Sequence, residues 1–180
     1  MRHAPTRATR ATAFPLDEPL DEPGRLAAAA LAAALPRHCE VVSSPAARCR
    51  ETANAAGLSA TVDDALVECD FGNWVGQRLV DVDEAGARAW MLDPDVSPHG
   101  GETLRAFAAR VGDWLDAQVG REGVAAAITH AGVVKAAVVH ALDAPLQSFW
   151  QIDAAPLSVT ELHAHDGRWT VARLNHVVGA

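Results

Sequence analysis

The sequence is poor in cysteine, in positive charge and in long apolar runs. Its three cysteines have no Cys-x-x-Cys spacing, so neither a disulfide framework nor a zinc ribbon is indicated and a reducing cytoplasm is the expected setting. The net charge of −8, from 15 basic and 23 acidic residues, disfavours nucleic acid or an anionic membrane as a partner. The apolar runs near 27–35 and 133–142 are too short to cross a bilayer, and no leader-like segment is recognised, so membrane anchoring is not expected.

The motifs of several common enzyme classes are missing as well. No GxSxG, GxxxxGK[ST], GxGxxG or HExxH occurs, and no cysteine is followed six positions later by arginine. These absences remove the main signatures of serine hydrolases, P-loop enzymes, dinucleotide binders, zincins and cysteine phosphatases. His163 and His165 could form a metal pair, but alternate strand positions without nearby acidic or cysteine ligands are more often plain surface. We expect no metal site and no cofactor.

Strand-like and helix-like segments alternate along the chain. Strands are predicted at 40–43, 62–66 and 124–129, and a hairpin at 158–163 and 169–174 around the turn pair Asp166-Gly167. Helices are predicted at 24–35, 80–92, 103–119, from Gly132 onward, and from Pro45 to about Gly57 with Ser44 as N-cap. Residues 4–23 indicate a loop. The alternation predicts one α/β domain over residues 1–180, a three-layer α/β/α sandwich with a mainly parallel central sheet.

Cationic groups follow two of the predicted strands. Arg48 lies in the first turn after the strand at 40–43, and His130 lies at the turn after the strand at 124–129. If Arg2-His3 ends a further strand, its side chains join them, because ligands of parallel sheets bind at the carboxyl ends of the strands. Two guanidinium groups, two imidazoles and helix N-termini suit a tetrahedral dianion such as phosphate.

Five segments in order resemble the histidine phosphatase superfamily, also called the phosphoglycerate mutase-like family. Each segment is a weak signal alone, but together they span most of the chain. The segments are Arg2-His3-Ala4-Pro5-Thr6, Ser43-Ser44-Pro45-Ala46-Ala47-Arg48-Cys49-Arg50-Glu51-Thr52-Ala53, Leu66-Val67-Glu68-Cys69-Asp70-Phe71-Gly72-Asn73-Trp74-Val75-Gly76, Gly100-Gly101-Glu102-Thr103 and Thr129-His130-Ala131-Gly132. The resemblance implies a phosphoglycerate mutase-like fold.

The resemblance also implies a role for each matching residue. His3 would be the nucleophile that forms a phosphohistidine, and Glu68 would be the proton donor, with Asp70 as the rival acid. The phosphoryl oxygens would be bound by Arg2, Arg48 and His130. Expected at the substrate are Thr6, Glu102 and Ala131, although Glu102 could instead be structural. The chemistry agrees, because neutral imidazole is a good nucleophile and cations stabilise the transferring phosphoryl group.

The activity expected from these roles is metal-independent hydrolysis of a small phosphate monoester. Mutase-type phosphoryl transfer and a non-catalytic phosphate-binding or scaffold role are the alternatives, and the sequence gives no oligomeric state. Family members carry an apolar strand that leads into the arginine-histidine pair, whereas here Met1 occupies its last place. We therefore expect either a native start upstream of Met1 or an incomplete sheet centre.

Overall fold

The computed structural model describes residues 1–36 and 38–177. Its elements, in chain order, are α1 (Arg7–Ala11), α2 (Glu22–Ala28), β1 (Glu40–Ser43), α3 (Ala47–Ala55), β2 (Thr61–Val62), α4 (Glu84–Leu92), α5 (Leu104–Asp116), β3 (Ala125–Ile128), α6 (Ala131–Ala141), β4 (Ser158–His165) and β5 (Arg168–Val177). Short 3-10 turns occupy Ala29–Ala34, Asp64–Leu66, Gly72–Trp74, Leu79–Asp81 and Leu146–Gln151. The mixed α/β class predicted from the sequence is confirmed.

The central sheet is parallel and has the order β2-β1-β3. Its register aligns Glu40 with Ala125 and Ser43 with Ile128, so β1 and β3 end at the same edge. The first three residues extend this pattern along the free edge of β3, because the Met1 amino group donates to the carbonyl of Ala127 (2.7 Å) and the His3 amide donates to the carbonyl of Thr129 (2.8 Å). His3 is thereby carried to the edge where β1 and β3 end.

The sheet buries both of its faces, as the alternation of side chains along a strand requires. Val41 of β1 packs on one side with Cys49 and Ala53 of α3 and with Ile128. Its neighbour Val42 faces the other side and joins the core formed with α5, α6 and the segment at 66–74. Helices therefore cover the two faces of the sheet, which is the sandwich arrangement predicted from the alternating elements.

The chain ends in the predicted hairpin of β4 and β5. Asp166 and Gly167 have φ values of 49° and 70°, and these left-handed conformations are those of the tight turn that connects paired strands with little loss of twist. Arg2 is hydrogen-bonded to the backbone at Leu157 and Ser158, where β4 begins. Beyond this contact a groove of about 1060 Å³, lined by Met1 and by residues of β3 and β4, separates the hairpin from the parallel sheet.

Several predicted boundaries were wrong. The stretch 4–23 contains α1, whose N-cap is Thr6. Ser44 is not the N-cap of α3, because that helix begins at Ala47 and its N-cap position is occupied by Ala46. The strand predicted at 62–66 covers only Thr61–Val62 before a 3-10 turn, where Asp63 accepts a hydrogen bond from the amide of Ala65 and so bends the chain.

The helix predicted at 24–35 is instead α2 followed by a 3-10 turn at Ala29–Ala34. Its leucines differ in burial, because Leu31 is 1% exposed whereas Leu26 is 70% exposed. The helix predicted at 80–92 starts later, at Glu84, because Asp83 caps it by accepting from the amide of Gly86. Among the described residues no helix has the length and apolar character needed to span a membrane.

Candidate active site

A pocket of about 260 Å³ opens at the carboxyl edge of the parallel sheet. Six of the eight residues expected at the site line it, namely Arg2, His3, Thr6, Arg48, Glu68 and Ala131. His130 lies directly behind, with its ring centroid 5.3 Å from that of His3. The larger groove beside the hairpin contains none of the eight. The residues predicted from the sequence therefore meet at one small pocket, except Glu102.

His3 is held as a neutral imidazole with one defined tautomer. Its Nδ1 lies 2.7 Å from the carbonyl oxygen of Ala4, and because a carbonyl only accepts, Nδ1 carries the proton and Nε2 keeps its lone pair. The side chain is 5% exposed. Burial, followed by the positive charge of Arg48, lowers the pKa of His3 to about 3. The Nε2 atom is thus available as a nucleophile at neutral pH.

Arg48 projects from the first turn of α3 and is 4% exposed. Its Nη1 donates to the carbonyl of Leu16 (2.9 Å) and its Nη2 donates to Nδ1 of His130 (3.1 Å). Arg2 donates through Nη1 to the carbonyl of Ala154 (2.6 Å). The Nε atoms of both arginines are buried and have no hydrogen-bond partner among the described residues. Two fixed guanidinium groups therefore keep donors free for an anion in the pocket.

His130 has its tautomer set by its neighbours. Arginine can only donate, so the contact with Arg48 makes Nδ1 of His130 the acceptor and leaves the proton on Nε2. That N–H lies 2.9 Å from the hydroxyl oxygen of Ser44, which accepts it. Burial and the charge of Arg48 lower the pKa of His130 well below the usual value. Ser44 was expected as a helix cap and is instead the side chain that orients His130.

Glu68 is the acid that faces the pocket. It accepts hydrogen bonds from the backbone amides of Cys69 (3.1 Å) and of Gly132 (3.2 Å) at the start of α6. Burial raises the pKa of Glu68, against the opposing effect of these hydrogen bonds and of the two arginines. A Cβ at position 132 would collide with the Glu68 carboxylate, so any other residue there would displace this acid. The rival acid, Asp70, is exposed and accepts from the amide of Gly72.

The remaining three expected residues divide. Thr6 lines the pocket and its hydroxyl donates to Glu18 (2.8 Å), while Ala131 lines it at the start of α6. The structure does not bring Glu102 into the pocket. Its carboxylate pairs with Arg110 (2.9 Å), which also donates to the carbonyls of Ala65 and Val67 and so fixes the segment that precedes Glu68. Glu102 thus fills the structural alternative.

Sequence reasoning missed the outer half of the pocket. Its walls are α1, the loop after it and two residues from distant segments, and they comprise Ala8, Thr9, Thr12, Ala13, Phe14, Pro15, Phe71 and Leu79. Phe14 packs against Phe71 with ring centroids 4.9 Å apart. The available signal was Thr6, a threonine that caps α1 by accepting from the amide of Thr9. That cap would have placed a helix, and hence a wall, beside the arginine-histidine pair.

A parallel α/β sheet with paired imidazole and guanidinium groups at its carboxyl edge defines the phosphoglycerate mutase-like class of proteins. The chain belongs to the histidine phosphatase superfamily (branch 1), whose family model matches residues 1–177. A mycobacterial glucosyl-3-phosphoglycerate phosphatase solved with VO3 is similar, with a TM-score of 0.85 and 30% identity over 97% of this chain and 96% of that one. The fold predicted from the sequence is confirmed.

Two relatives known from sequence are also similar. Phosphoserine phosphatase 1 of Hydrogenobacter thermophilus is 30% identical over 172 residues, which cover 89% of this chain and 82% of that protein. A bifunctional protein of Mycobacterium tuberculosis is 36% identical over 146 residues, or 75% of this chain. The match spans 40% of the length of the bifunctional protein. Two of these three similar proteins are named as phosphatases.

Proposed function

We propose that the protein hydrolyses a small phosphate monoester through a phosphohistidine on His3, without a metal ion. The observation that carries this proposal is the state of His3, a buried neutral imidazole whose Nδ1–H is tied to Ala4 and whose Nε2 lone pair is free beside Arg48. The phosphatase names of the relatives support the reaction class. Glu68, at the same pocket, supplies the acid that such a reaction needs.

In the first step, the lone pair of His3 Nε2 forms a bond to phosphorus as the bond between phosphorus and the ester oxygen breaks. The departing alkoxide takes the proton of Glu68, whose raised pKa keeps that proton in place at higher pH than for an exposed glutamate. Arg2 and Arg48 stabilise the charge on the three phosphoryl oxygens, and they do so without reorganisation because both are already anchored to backbone carbonyls.

In the second step, the carboxylate of Glu68 takes a proton from water as the water oxygen attacks phosphorus. The bond between phosphorus and Nε2 breaks, its electron pair returns to His3, and orthophosphate leaves. Glu68 is again protonated and His3 is again neutral, so the cycle closes. Throughout, the Nδ1–H of His3 stays on the carbonyl of Ala4, which keeps Nε2 as the reacting atom. Mutase-type transfer would need an acceptor alcohol in place of this water.

The remaining parts of the proposal concern setting and partners. The three cysteines, Cys39, Cys49 and Cys69, are free thiols, which supports a reducing compartment such as the cytoplasm. The acidic net charge of −8 supports a small-molecule substrate rather than nucleic acid.

The test is hydrolysis of 4-nitrophenyl phosphate in EDTA by the wild-type chain, by His3→Ala and by His165→Ala. His165 is a matched control because its side chain is 88% exposed and lies outside the pocket. We expect turnover by the wild type and by His165→Ala, and loss of about 10⁴-fold or more in His3→Ala. Equal activity of His3→Ala, or activity that needs added magnesium, would contradict the proposal. Phosphate binding without turnover of any ester would favour the scaffold role.

A further inference from the structure

The outer half of the pocket differs in charge from its phosphate end. Arg2 and Arg48 are the positively charged residues that line the pocket within the described chain, and both are placed for the phosphoryl group. The walls beyond them are apolar or carry hydroxyls, with Phe14, Phe71 and Leu79 facing the threonines of α1. A leaving group that carried its own negative charge would meet no further cation there.

Three cations near the pocket are engaged elsewhere, and Arg7, which begins α1, does not line the pocket. Arg10 pairs with Asp21 (2.9 Å) and Arg78 pairs with Asp81 (3.2 Å). Lys135, one turn into α6, places its Nζ over the ring of Phe149, 5.4 Å from the centroid. None of the three lines the pocket, so none is placed to neutralise a carboxylate on the substrate.

The hydrogen bonds along the threonine wall have a direction. The Thr6 hydroxyl donates its single proton to the carboxylate of Glu18 (2.8 Å). Its oxygen lies 3.1 Å from the hydroxyl of Thr9, so Thr9 must be the donor in that pair. The oxygen of Thr9 is then left with lone pairs and no proton to offer. It can accept from a hydroxyl or amide of the substrate, whereas a carboxylate, which only accepts, finds no donor at Thr9.

We propose that the substrate of this pocket is the phosphate ester of an uncharged alcohol about one ring in size, and that carboxylate-bearing esters are discriminated against. The inference rests on the proposed phosphatase function and names its substrate class. The ring lies against Phe14, Phe71 and Leu79, and a hydrogen-bond donor on the ring faces Thr9. The volume of about 260 Å³ is below the range typical of drug-sized ligands, which sets the upper size.

The test uses two esters of equal shape, 4-carbamoylphenyl phosphate and 4-carboxyphenyl phosphate. We expect kcat/KM to be at least about tenfold higher for the amide, because the carboxylate meets no cation beyond the two that hold the phosphoryl group and no donor at Thr9. Leu79→Lys, at a half-exposed wall position, should reduce this preference several-fold. Val80→Lys, at the next residue but 72% exposed and outside the pocket lining, should leave it unchanged. Comparing the variants cancels any difference in intrinsic reactivity between the two esters.

The outcomes separate the inference from the function beneath it. Equal or higher kcat/KM for the carboxylate ester would overturn the inference while leaving hydrolysis established. If neither ester is hydrolysed, calorimetric binding of each to the His3→Ala variant decides. Binding of the amide ester about tenfold more tightly would support the inference and place the failure in the proposed hydrolysis. Equal binding of the two would overturn the inference.

Discussion

The two ends of the pocket are built in different ways. At the phosphate end, each residue follows a strand of the parallel sheet or lies at the start of the helix after it. His3, Arg48 and His130 are each held by hydrogen bonds to the backbone or to buried side chains. At the outer end, Thr9 and Phe14 belong to a five-residue helix and the loop after it, and Leu79 comes from a distant turn. In the proposed reaction, the sheet positions the reacting groups, whereas α1 and the loops form the surface proposed to select the alcohol.

Glu68 is proposed to protonate the departing alcohol, so its replacement should have an effect that depends on the leaving group. For Glu68→Gln we expect kcat/KM to fall about 10³-fold with alkyl phosphates, which need protonation, and less than tenfold with 4-nitrophenyl phosphate, which does not. Steady-state kinetics with both esters measure the difference. Asp70→Asn is the matched control, because Asp70 is two residues away and exposed. A larger loss in Asp70→Asn would reverse the assignment of the acid.

At the phosphate end, the planar guanidinium of Arg48 should not be replaceable by the ammonium group of lysine. Arg48→Lys keeps the charge but cannot hold Leu16, His130 and phosphate together, so we expect a loss of about 100-fold in kcat/KM for all esters alike. Arg50→Lys, on the same helix but exposed, should be unchanged. A loss in Arg48→Lys that varied strongly with the alcohol would show that the two ends of the pocket are not independent.

Ser44→Ala should show a smaller effect at the same end. Without the hydroxyl, the Nε2–H of His130 loses its oxygen acceptor, and its tautomer then depends on the contact with Arg48 alone. A hydrogen bond of about 1.4 kcal/mol corresponds to a tenfold fall in kcat/KM. Nitrogen NMR shifts of the His130 ring report the tautomer directly. An unchanged tautomer together with unchanged kinetics would remove Ser44 from the positioning of His130.

The buried imidazoles should also make stability depend on pH. The pKa of His3 is about 3 in the folded state and 6.5 in its ordinary state, so below pH 6.5 the unfolded chain takes up a proton that the folded chain does not. The free energy of unfolding should therefore fall as pH decreases from 6.5 towards 3, with His3 contributing about 1.4 kcal/mol per pH unit. Urea titrations at pH 7, 6 and 5 give the free energy of unfolding at each pH, and this free energy should depend less steeply on pH for His3→Asn than for the wild type. Identical slopes would contradict the buried neutral state.

Much of the phosphate end could be predicted from sequence, because strand ends and the residues after them are local signals. The strands at 40–43 and 124–129 predicted that Arg48 and His130 share one edge, and the resemblance of the five segments added His3 and Glu68 to the expected site. The assignment of the acid to Glu68 rather than Asp70 stays a prediction, although the pocket places Glu68 at its wall.

The outer end could not be predicted, because it depends on packing between distant segments. Five residues are too few to form a helix alone, so α1 exists through its Thr6 cap and its packing rather than through propensity. Leu79 reaches the pocket through the bridge between Ala13 and Arg78, a pairing with no local signal. Glu102 was assigned to the substrate by its motif, yet its ion pair with Arg110 of α5 decides its role.

The central claim is that phosphoryl transfer passes through Nε2 of His3, and trapping the intermediate tests it most directly. Wild-type protein mixed with 4-nitrophenyl phosphate for milliseconds is quenched in alkali, digested and sequenced by mass spectrometry. We predict a phosphoryl group on His3 that survives alkali and is lost in acid, and no phosphoenzyme in the His3→Ala control treated in the same way. A phosphoryl group on another residue, or turnover with no phosphoenzyme in single-turnover experiments, would contradict the account.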